Sequence, residues 1–371
     1  MSAEPALAVT QAAPAPQSRT MSVCYLVFRP DSLTYTIGRA LSWGTHPVLI
    51  CVADPDRGRP PNKIERLLCA TPGIRVTTVD DPALPTVFDR LIVQIFPRLM
   101  ERLETFAPLA ERARAITLVS AGDRSRSWRQ AVRLQWLEAR ALRAQLARID
   151  RVLYKDGLYR SDIFGLFKPR DVVGFDAHSQ FLHDQQAFRA IHAPDWDPEA
   201  PRPVLANFLG SRDPEIRRRV VDAVRGFFQS GGGQGGAAAG GKTLVWHEYS
   251  DAEPGGLGPA EFVDVLTRSD FTLCPPGYSL ITHRPIEALL RGSIPVLNAN
   301  ELDLYAVGLQ DGTNCIAVED GRWGAAMARL ARIGEADLAR MRRAIRQMVP
   351  ARVDYRVLSA RMCARLGVTA S

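Results

Sequence analysis

Short apolar runs alternate with amphipathic stretches along the chain from residue 23 onwards. The apolar runs at 23–28, 48–53 and 75–79 predict β-strands, and the stretches at 37–43 and 64–69 between them predict helices. A strand, helix, strand, helix, strand rhythm is typical of a parallel sheet with helices on its faces. The chain is therefore predicted to be an α/β protein.

The alternation continues to about residue 195, where its composition changes. We predict a helical region at 87–112, strands at 115–120, 151–154 and 172–175, and a long helix at 127–149. Proline and acidic residues then fill 194–203, a stretch with nothing to bury, which predicts a linker. The predicted organisation is a disordered Ala/Pro tail at 1–20, a first domain at 21–195, a second domain at 196–350, and a final helix at 351–371 that packs back on the first domain.

The segment 270–296, DFTLCPPGYSLITHRPIEALLRGSIPV, carries the most chemical information. It predicts a strand, a turn at Pro275, Pro276 and Gly277, a helix ended by Gly292, and a second strand. A helix that opens after such a turn presents unpaired N–H groups and a positive dipole end, which suit an anion such as phosphate. The alternative interpretation is an ordinary turn in which Arg284 and Glu287 pair on a solvated surface.

The same segment resembles the C-terminal signature of the exostosin-like glycosyltransferases of family 47. The matching residues are Asp270, Phe271, Cys274, Pro276, Gly277, Arg284, Glu287, Ala288, Leu289, Gly292, Ile294, Pro295 and Val296. A weaker match at the start of the second half comprises Phe208, Gly210, Arg212, Ile216 and Arg217. The resemblance implies a GT-B fold, two Rossmann-like domains facing each other across a cleft, and sugar transfer from a nucleotide sugar. A UDP-sugar is the preferred donor, because the family mostly uses UDP-sugars.

On this basis the second domain is expected to bind the donor and the first domain the acceptor. Arg284 is expected to bind the diphosphate and Glu287 the ribose hydroxyls. If the weaker match holds, Arg212 faces the diphosphate from the opposite side; a solvated turn arginine is the alternative. A cleft arginine contributes little to a core, so the loss of Arg284 is expected to leave the fold intact. The expected donor-binding residues are Gly210, Arg212, His247, Pro276, Gly277, Tyr278, Ser279, Thr282, Arg284 and Glu287.

An inverting transfer needs a base that takes the proton of the acceptor hydroxyl. Candidates lie late in the first domain, and for each of them a cap, a surface charge or a core histidine is the alternative interpretation. They are Asp156, Asp162, Asp176, His178 and His183, of which Asp162, Asp176 and His178 are retained. The D-x-D at 54–56 is interpreted as a turn cap, so no metal and no cofactor other than the nucleotide-sugar co-substrate is expected.

Composition limits the partners. The 371 residues suffice for two domains. The net charge of +7 is spread over amphipathic helices without a stripe of interleaved aromatic residues, so we expect no nucleic-acid partner and at most peripheral membrane contact. Six scattered cysteines without a C-x-x-C pair predict free thiols in a reducing cytoplasm and no zinc site. The first twenty residues lack the pattern of a signal or an anchor, which suggests a cytoplasmic protein. Because eukaryotic members of the resembling family are typically anchored in the secretory pathway, the resemblance then implies a bacterial version.

Two questions stay open at this stage. The acceptor is a growing glycan, a lipid-linked glycan or a small molecule, and the sequence does not specify the oligomeric state. The alternative function is that of a non-catalytic nucleotide- or polysaccharide-binding protein which retains the fold.

Overall fold

The structure is a computed structural model. It describes residues 22–43, 48–53, 60–95, 103–120, 148–154, 170–172, 185–211, 215–227, 241–249, 257–277 and 281–368. The described residues form two parallel sheets, one from each half of the chain. The N-terminal tail and the predicted helix at 127–149, up to residue 147, lie outside the described residues.

The first sheet has seven parallel strands in the order β3-β2-β1-β4-β5-β6-β7. The strands are β1 (Val23–Val27), β2 (Val48–Val52), β3 (Ile74–Thr78), β4 (Phe88–Ile95), β5 (Ala113–Ser120), β6 (Ile149–Tyr154) and β7 (Arg170–Val172). Helices α1 (Ser32–Trp43), α2 (Lys63–Cys69) and α3 (Leu103–Arg112) accompany them. The strand order changes direction between β1 and β4, which makes this pair the switch point of the first sheet.

The helix predicted across 87–112 is wrong in its first part, because β4 occupies Phe88–Ile95. The sequence FDRLIVQI has an apolar core flanked by polar residues, a pattern that fits a short helix as well as a strand. Tertiary contacts decide for the strand. Its polar side chains find partners: Arg90 makes a bidentate pair with Asp150 at 2.8 Å, and Gln94 donates to Asp31 at 2.9 Å.

The connection between the domains is packed, contrary to the prediction that 194–203 has nothing to bury. It follows α4 (Gln185–His192), and its Trp196 is only 5% exposed. The indole donates to the Leu290 carbonyl at 3.0 Å and lies against Gly292, where a Cβ would come within 2.4 Å of the ring. The guanidinium of Arg346 stacks over the same ring at 5.1 Å. A single aromatic residue therefore anchors this connection to the second domain.

The second sheet has five parallel strands in the order β12-β11-β10-β8-β9. The strands are β8 (Val204–Ser211), β9 (Thr243–Tyr249), β10 (Ser269–Leu273), β11 (Ile294–Asn298) and β12 (Ile316–Val318), and the helices between them are α5 (Glu215–Phe227), α6 (Pro259–Arg268) and α7 (Arg284–Leu290). Strand β9 lies on one side of β8, and the next strand, β10, lies on the other side. The switch point of this sheet therefore lies between β8 and β10, and ligands of open α/β sheets bind outside the carboxyl ends of such strands.

The C-terminal helices connect the two sheets. Helices α8 (Trp323–Leu330) and α9 (Glu335–Met348) belong to the second domain, and a π-helical turn, Val349–Val353, leads into α10 (Tyr355–Leu366). Met362, Cys363 and Leu366 of α10 join the core of the first domain. Arg151 donates to the carbonyls of Ala364 and Arg365 at the end of α10, where a positive charge favours the helix dipole.

Candidate functional site

The switch point of the second sheet holds an arginine. Arg217, in the first turn of α5, donates from Nη1 to the carbonyl of Ser211, the last residue of β8, at 3.1 Å. Its Nη2 lies so close to Gly277, on the turn after β10, that a Cβ there would be 2.7 Å away. The guanidinium therefore occupies the space that a side chain at 277 would need. A positive charge is held between the carboxyl ends of β8 and β10, where an anionic ligand is expected.

Arg217 is part of the weaker motif match but not of the predicted donor-binding set. Its place in the sequence could have indicated this role, because the first turn of a helix lies close to the carboxyl end of the strand that precedes it. Its neighbour in the prediction, Arg212, lies outside the described residues, as do Tyr278 and Ser279. The base candidates Asp156, Asp162, Asp176, His178 and His183 also lie outside them.

The turn after β10 is fixed by its backbone. The N–H of Cys274 donates to the Val296 carbonyl at 2.8 Å, and its thiol donates to the Thr272 carbonyl at 3.3 Å. Burial raises the pKa of the Cys274 thiol, so this cysteine stays protonated and acts as a packing residue. Pro276 is buried and Gly277 is half-buried, which leaves the glycine backbone as the accessible part of the turn.

Helix α7 does not open directly after the Pro/Gly turn, as the sequence led us to expect. It starts at Arg284, well after Gly277, spans seven residues and carries Pro285 in its first turn. Because proline lacks an N–H, this end offers fewer free donors than an ordinary helix start. The N–H of Thr282 donates to the hydroxyl of the buried Tyr305 at 2.8 Å. Burial raises the pKa of Tyr305, so its hydroxyl stays neutral. The N–H groups directly after the Pro/Gly turn are therefore not those of α7, and the cation beside that turn is Arg217.

Arg284 and Glu287 form a pair, but not on a solvated surface. Their side chains are 12% and 0% exposed, and Nη1 of the arginine lies 3.2 Å from Oε2 of the glutamate. The guanidinium also stacks over the ring of Phe262 on α6 at 4.4 Å. Arg284 therefore neutralises a fully buried carboxylate between two helices. The expectation that its removal leaves the fold intact does not agree with this geometry, because breaking a buried pair is costly.

Two further predicted positions lie at strand ends. Gly210, near the end of β8, would place a Cβ at an ordinary 3.4 Å from the Phe208 ring, so space alone does not require glycine there. His247 is half-buried near the end of β9 and lies in register with Leu209 of β8. Its neighbour Glu248 accepts a hydrogen bond from Trp246 at 2.6 Å. Arg225 of α5 pairs with Glu248 at 2.5 Å and stacks over the Trp246 ring at 5.4 Å, so these two side chains hold α5 to the sheet.

Of the acidic and amide-rich residues after β11, Glu301 is buried, whereas Asn300 and Asp303 are exposed. These residues belong to a 3₁₀-helix, Ala299–Tyr305, in which Glu301 accepts from the Asn298 amide at 2.6 Å. Among the described residues, no three His, Cys, Asp or Glu side chains come together as metal ligands. No helix in the described part of the chain is long and apolar enough to cross a membrane.

Asp270, which belongs to the signature, lies at the opposite end of β10 from the turn. Its buried carboxylate pairs with Arg342 of α9 and with Lys242, the latter at 2.7 Å. Burial raises the pKa of Asp270, and the hydrogen bond from Lys242 opposes this shift. Arg342 also donates to the carbonyl of Ala200 at 3.0 Å, so Asp270 holds α9 and the interdomain connection to the sheet. Its role is structural.

Comparison with known proteins identifies the fold. No protein-family model and no curated protein matches the chain by sequence. Sucrose-phosphate synthase from Thermosynechococcus elongatus matches it with a TM-score of 0.55 and 10% identity over 93% of this chain and 98% of that one. Anabaena HepE in complex with UDP matches with a TM-score of 0.53 and 11% identity over 94% and 100%.

A third solved structure is similar over its whole length. It is the DNA-modifying enzyme β-glucosyltransferase, determined with and without uridine diphosphoglucose, with a TM-score of 0.50 and 10% identity over 94% of this chain and 100% of that one. At such identities the likeness shows the fold and not the substrate. The two parallel α/β sheets and their similarity to these glycosyltransferases establish that this chain has the GT-B fold, two Rossmann-like domains facing each other across a cleft.

Proposed function

We propose that this protein transfers a sugar from a nucleotide diphosphate sugar, preferably a UDP-sugar, to the hydroxyl of an acceptor. The observation that carries the proposal is the arginine at the switch point, where Arg217 lies against a glycine that leaves no side chain in the way. A guanidinium fork fits the oxygens of a diphosphate. The GT-B fold supports the proposal, because HepE binds UDP and β-glucosyltransferase binds uridine diphosphoglucose in structures of that fold.

In this reaction, negative charge develops on the leaving diphosphate as the glycosidic bond breaks. A preorganised cation at that position stabilises the transition state more than the ground state. We assign this task to Arg217, with Arg284 as a second cation. Nη1 of Arg284 is buried and makes no hydrogen bond with the described residues, so we propose that it donates to a phosphate oxygen once donor binding opens its surroundings, while its charge still balances Glu287.

The other predicted donor contacts remain part of the proposal. Gly277 and Thr282 belong to the turn that would approach the phosphates, and His247 borders it on the β9 side. Tyr278, Ser279 and Arg212 complete the donor set by sequence. Glu287 is proposed to reach ribose only if binding loosens its pair with Arg284, because its carboxylate is buried in this conformation.

The acceptor side is proposed by resemblance to the exostosin-like family. We propose an inverting, metal-independent transfer in which Asp162, Asp176 or His178 takes the proton of the acceptor hydroxyl. The acceptor is proposed to be a glycan, a lipid-linked glycan or a small molecule, with bacterial polysaccharide synthesis in the cytoplasm as the setting. No nucleic acid is required as a partner.

Isothermal titration calorimetry with UDP, GDP and TDP tests the donor site. We expect UDP to bind wild-type protein and to bind Arg217→Ala much more weakly. Arg218→Ala is the matched control, because Arg218 is the exposed next residue on the same helix. If none of the three nucleotides binds at roughly millimolar concentration, a range in which even weak specific sites are occupied, the proposal is wrong.

A second measurement separates catalysis from mere binding. A transferase that holds a UDP-sugar without its acceptor slowly passes the sugar to water, which releases UDP. Release of UDP above the uncatalysed rate supports the enzyme. Binding of UDP-sugars with no release and no transfer to any acceptor would instead support a non-catalytic nucleotide-binding protein.

A further inference from the structure

Three arginines, Arg352, Arg361 and Arg365, form a cluster where α10 meets the loop that follows the 3₁₀-helix; we call them the arginine cluster. Nη1 of Arg361 donates to the carbonyl of Ala306 at 2.7 Å. The guanidinium of Arg352 lies against Gly308, where a Cβ would come within 2.1 Å of its Nη1. Ala306 and Gly308 are two residues apart, so their Cα atoms are at most about 7 Å apart. Two guanidinium groups are thus held at the ends of one short turn.

The turn has an unusual backbone. Ala306 has a φ of 51° and Gly308 a φ of 81°, so both residues are left-handed. This region is unfavourable for alanine, and such a residue persists only where its surroundings hold it. Here the N–H of Ala306 donates to the Asp303 carbonyl at 3.1 Å, and its own carbonyl accepts from Arg361. The position of Arg361 is therefore fixed rather than incidental.

Two arginines of the cluster, Arg352 and Arg361, carry charges that no ion pair among the described residues balances. Burial, followed by the charges of Arg365 and Arg352, lowers the pKa of Arg361. Within the described part of the chain, neither Arg352 nor Arg361 forms an ion pair, whereas Arg340 pairs with Asp337 at 2.9 Å. Arginines that repel one another at a fixed turn cost stability unless an anion joins them.

We propose that the arginine cluster binds a phosphate group, carried by a membrane lipid or by a soluble phosphorylated molecule. Guanidinium groups bind phosphate through paired hydrogen bonds, and two of them at one turn suit a single phosphate. Ala306 and Gly308 belong to the second domain, while α10 packs in the core of the first. A phosphate bound here ties the two domains together and relieves the repulsion among the arginines. None of the residues of this site is among those assigned to the donor site.

Thermal unfolding with inorganic phosphate and flotation with vesicles test the site. We expect phosphate to raise the midpoint temperature of unfolding of the wild-type protein above that in a salt control of equal ionic strength. The midpoint of the double variant Arg352→Gln/Arg361→Gln should be the same in phosphate and in the salt control. If the source is a lipid, vesicles that contain phosphatidylglycerol bind the wild type, and vesicles of phosphatidylcholine alone do not. Each arginine near an anionic surface contributes about fivefold in affinity, so the double variant should bind such vesicles about 25-fold more weakly.

Arg340→Gln is the matched control, because it removes the same charge from an exposed, ion-paired site on α9. Arg361→Lys should retain part of the phosphate effect, since it keeps the charge and loses the fork. Unchanged UDP affinity in the double variant shows that the fold and the donor site are intact. A failure of the phosphate proposal can therefore be distinguished from a failure of the proposed function.

The outcomes separate the two sources. A phosphate effect with vesicle binding identifies a lipid headgroup, and a phosphate effect without vesicle binding identifies a soluble phosphorylated molecule. The proposal is overturned if the double variant responds to phosphate as the wild type does. It is equally overturned if Arg340→Gln loses as much of the phosphate-induced stabilisation as the double variant does. The stabilisation would then depend on net charge alone.

Discussion

The two sheets have comparable switch points, and the chain fills them in opposite ways. At the first, between β1 and β4, Gln94 is fully buried and accepts from the Tyr25 hydroxyl and from Thr34 at 3.1 Å. Its amide donates to Asp31 at 2.9 Å, and Asp31 in turn accepts from the N–H of Thr34 at 2.8 Å. Gln94 thus uses both its donor and its acceptor within the protein, and the network binds the end of β4 to the start of α1.

The second switch point contains a charged side chain, that of Arg217, beside a residue without a side chain, Gly277. Arg217 approaches Gly277, and the strand ends are joined by a cation rather than by a neutral network. A satisfied neutral network stabilises a domain, whereas a cation beside exposed backbone favours an anionic ligand. The switch point of a parallel sheet is therefore a structural junction in one domain and a candidate donor site in the other. Substitutions at each point separate these roles.

The largest effect is expected from Arg284→Ala. It removes the arginine that faces the fully buried Glu287, and loss of one partner of a buried pair costs about 3–5 kcal/mol. We expect the free energy of unfolding in urea to fall by that amount. The double variant Arg284→Ala/Glu287→Gln is the control, because it removes the charge on both sides and should recover part of the loss. Equal stability of the single variant and the wild type would show that the pair is not buried in solution.

The next effect is on turnover, from Arg217→Ala. Loss of one preorganised electrostatic contact to the leaving group lowers turnover by roughly 10²- to 10³-fold. Arg217 is half-buried, whereas Arg284 faces the fully buried Glu287, so the free energy of unfolding should fall much less in Arg217→Ala than in Arg284→Ala. Steady-state rates with a UDP-sugar, compared with Arg218→Ala, provide the measurement. Near-normal turnover in Arg217→Ala would show that the diphosphate does not bind at the switch point.

The difference between these two arginines also shows what the sequence can predict. The sequence predicts a strand, a turn at 275–277, a helix ended by Gly292 and a second strand, and the structure has β10 before this turn, followed by α7 and β11. Short apolar runs with Pro and Gly between them specify such local elements well. The α/β class and the GT-B fold followed from that pattern and from the resemblance, and the structure confirms both.

Long-range contacts were not predictable in the same way. The sequence of β4 fits a helix, and only its neighbours β1 and β5 make it a strand. Trp196 looked like part of an empty linker, although Gly292, far along the chain, leaves space for its ring. Arg217 becomes a site residue only because the fold brings Gly277 beside it. The sequence identified the turn, but the burial of Arg284 and the position of Arg217 depend on packing between distant segments.

A smaller effect, on stability alone, is expected at the first switch point. Gln94→Leu keeps the volume of the side chain approximately and removes its hydrogen bonds, which leaves the buried hydroxyl of Tyr25 without this partner. An unsatisfied buried polar group costs about 1–3 kcal/mol. Denaturation in urea should show this loss, while calorimetry should show unchanged UDP affinity. A marked loss of UDP affinity in Gln94→Leu would contradict the division of roles between the two switch points.

The smallest effect is expected from Gly277→Ala, which adds a single methyl group at the second switch point. The new Cβ would lie 2.7 Å from Nη2 of Arg217, and a flexible arginine moves away at little cost, so stability should barely change. The displaced guanidinium no longer points at the ligand, and the loss of its charged hydrogen bond should weaken UDP binding about tenfold. Gly226→Ala is the control, because a Cβ there meets nothing within 4 Å. Calorimetry with UDP measures both variants. Equal UDP affinity in Gly277→Ala and Gly226→Ala would mean that Arg217 does not need the space beside Gly277 in order to bind UDP. The proposed difference between the two switch points would then have no physical basis.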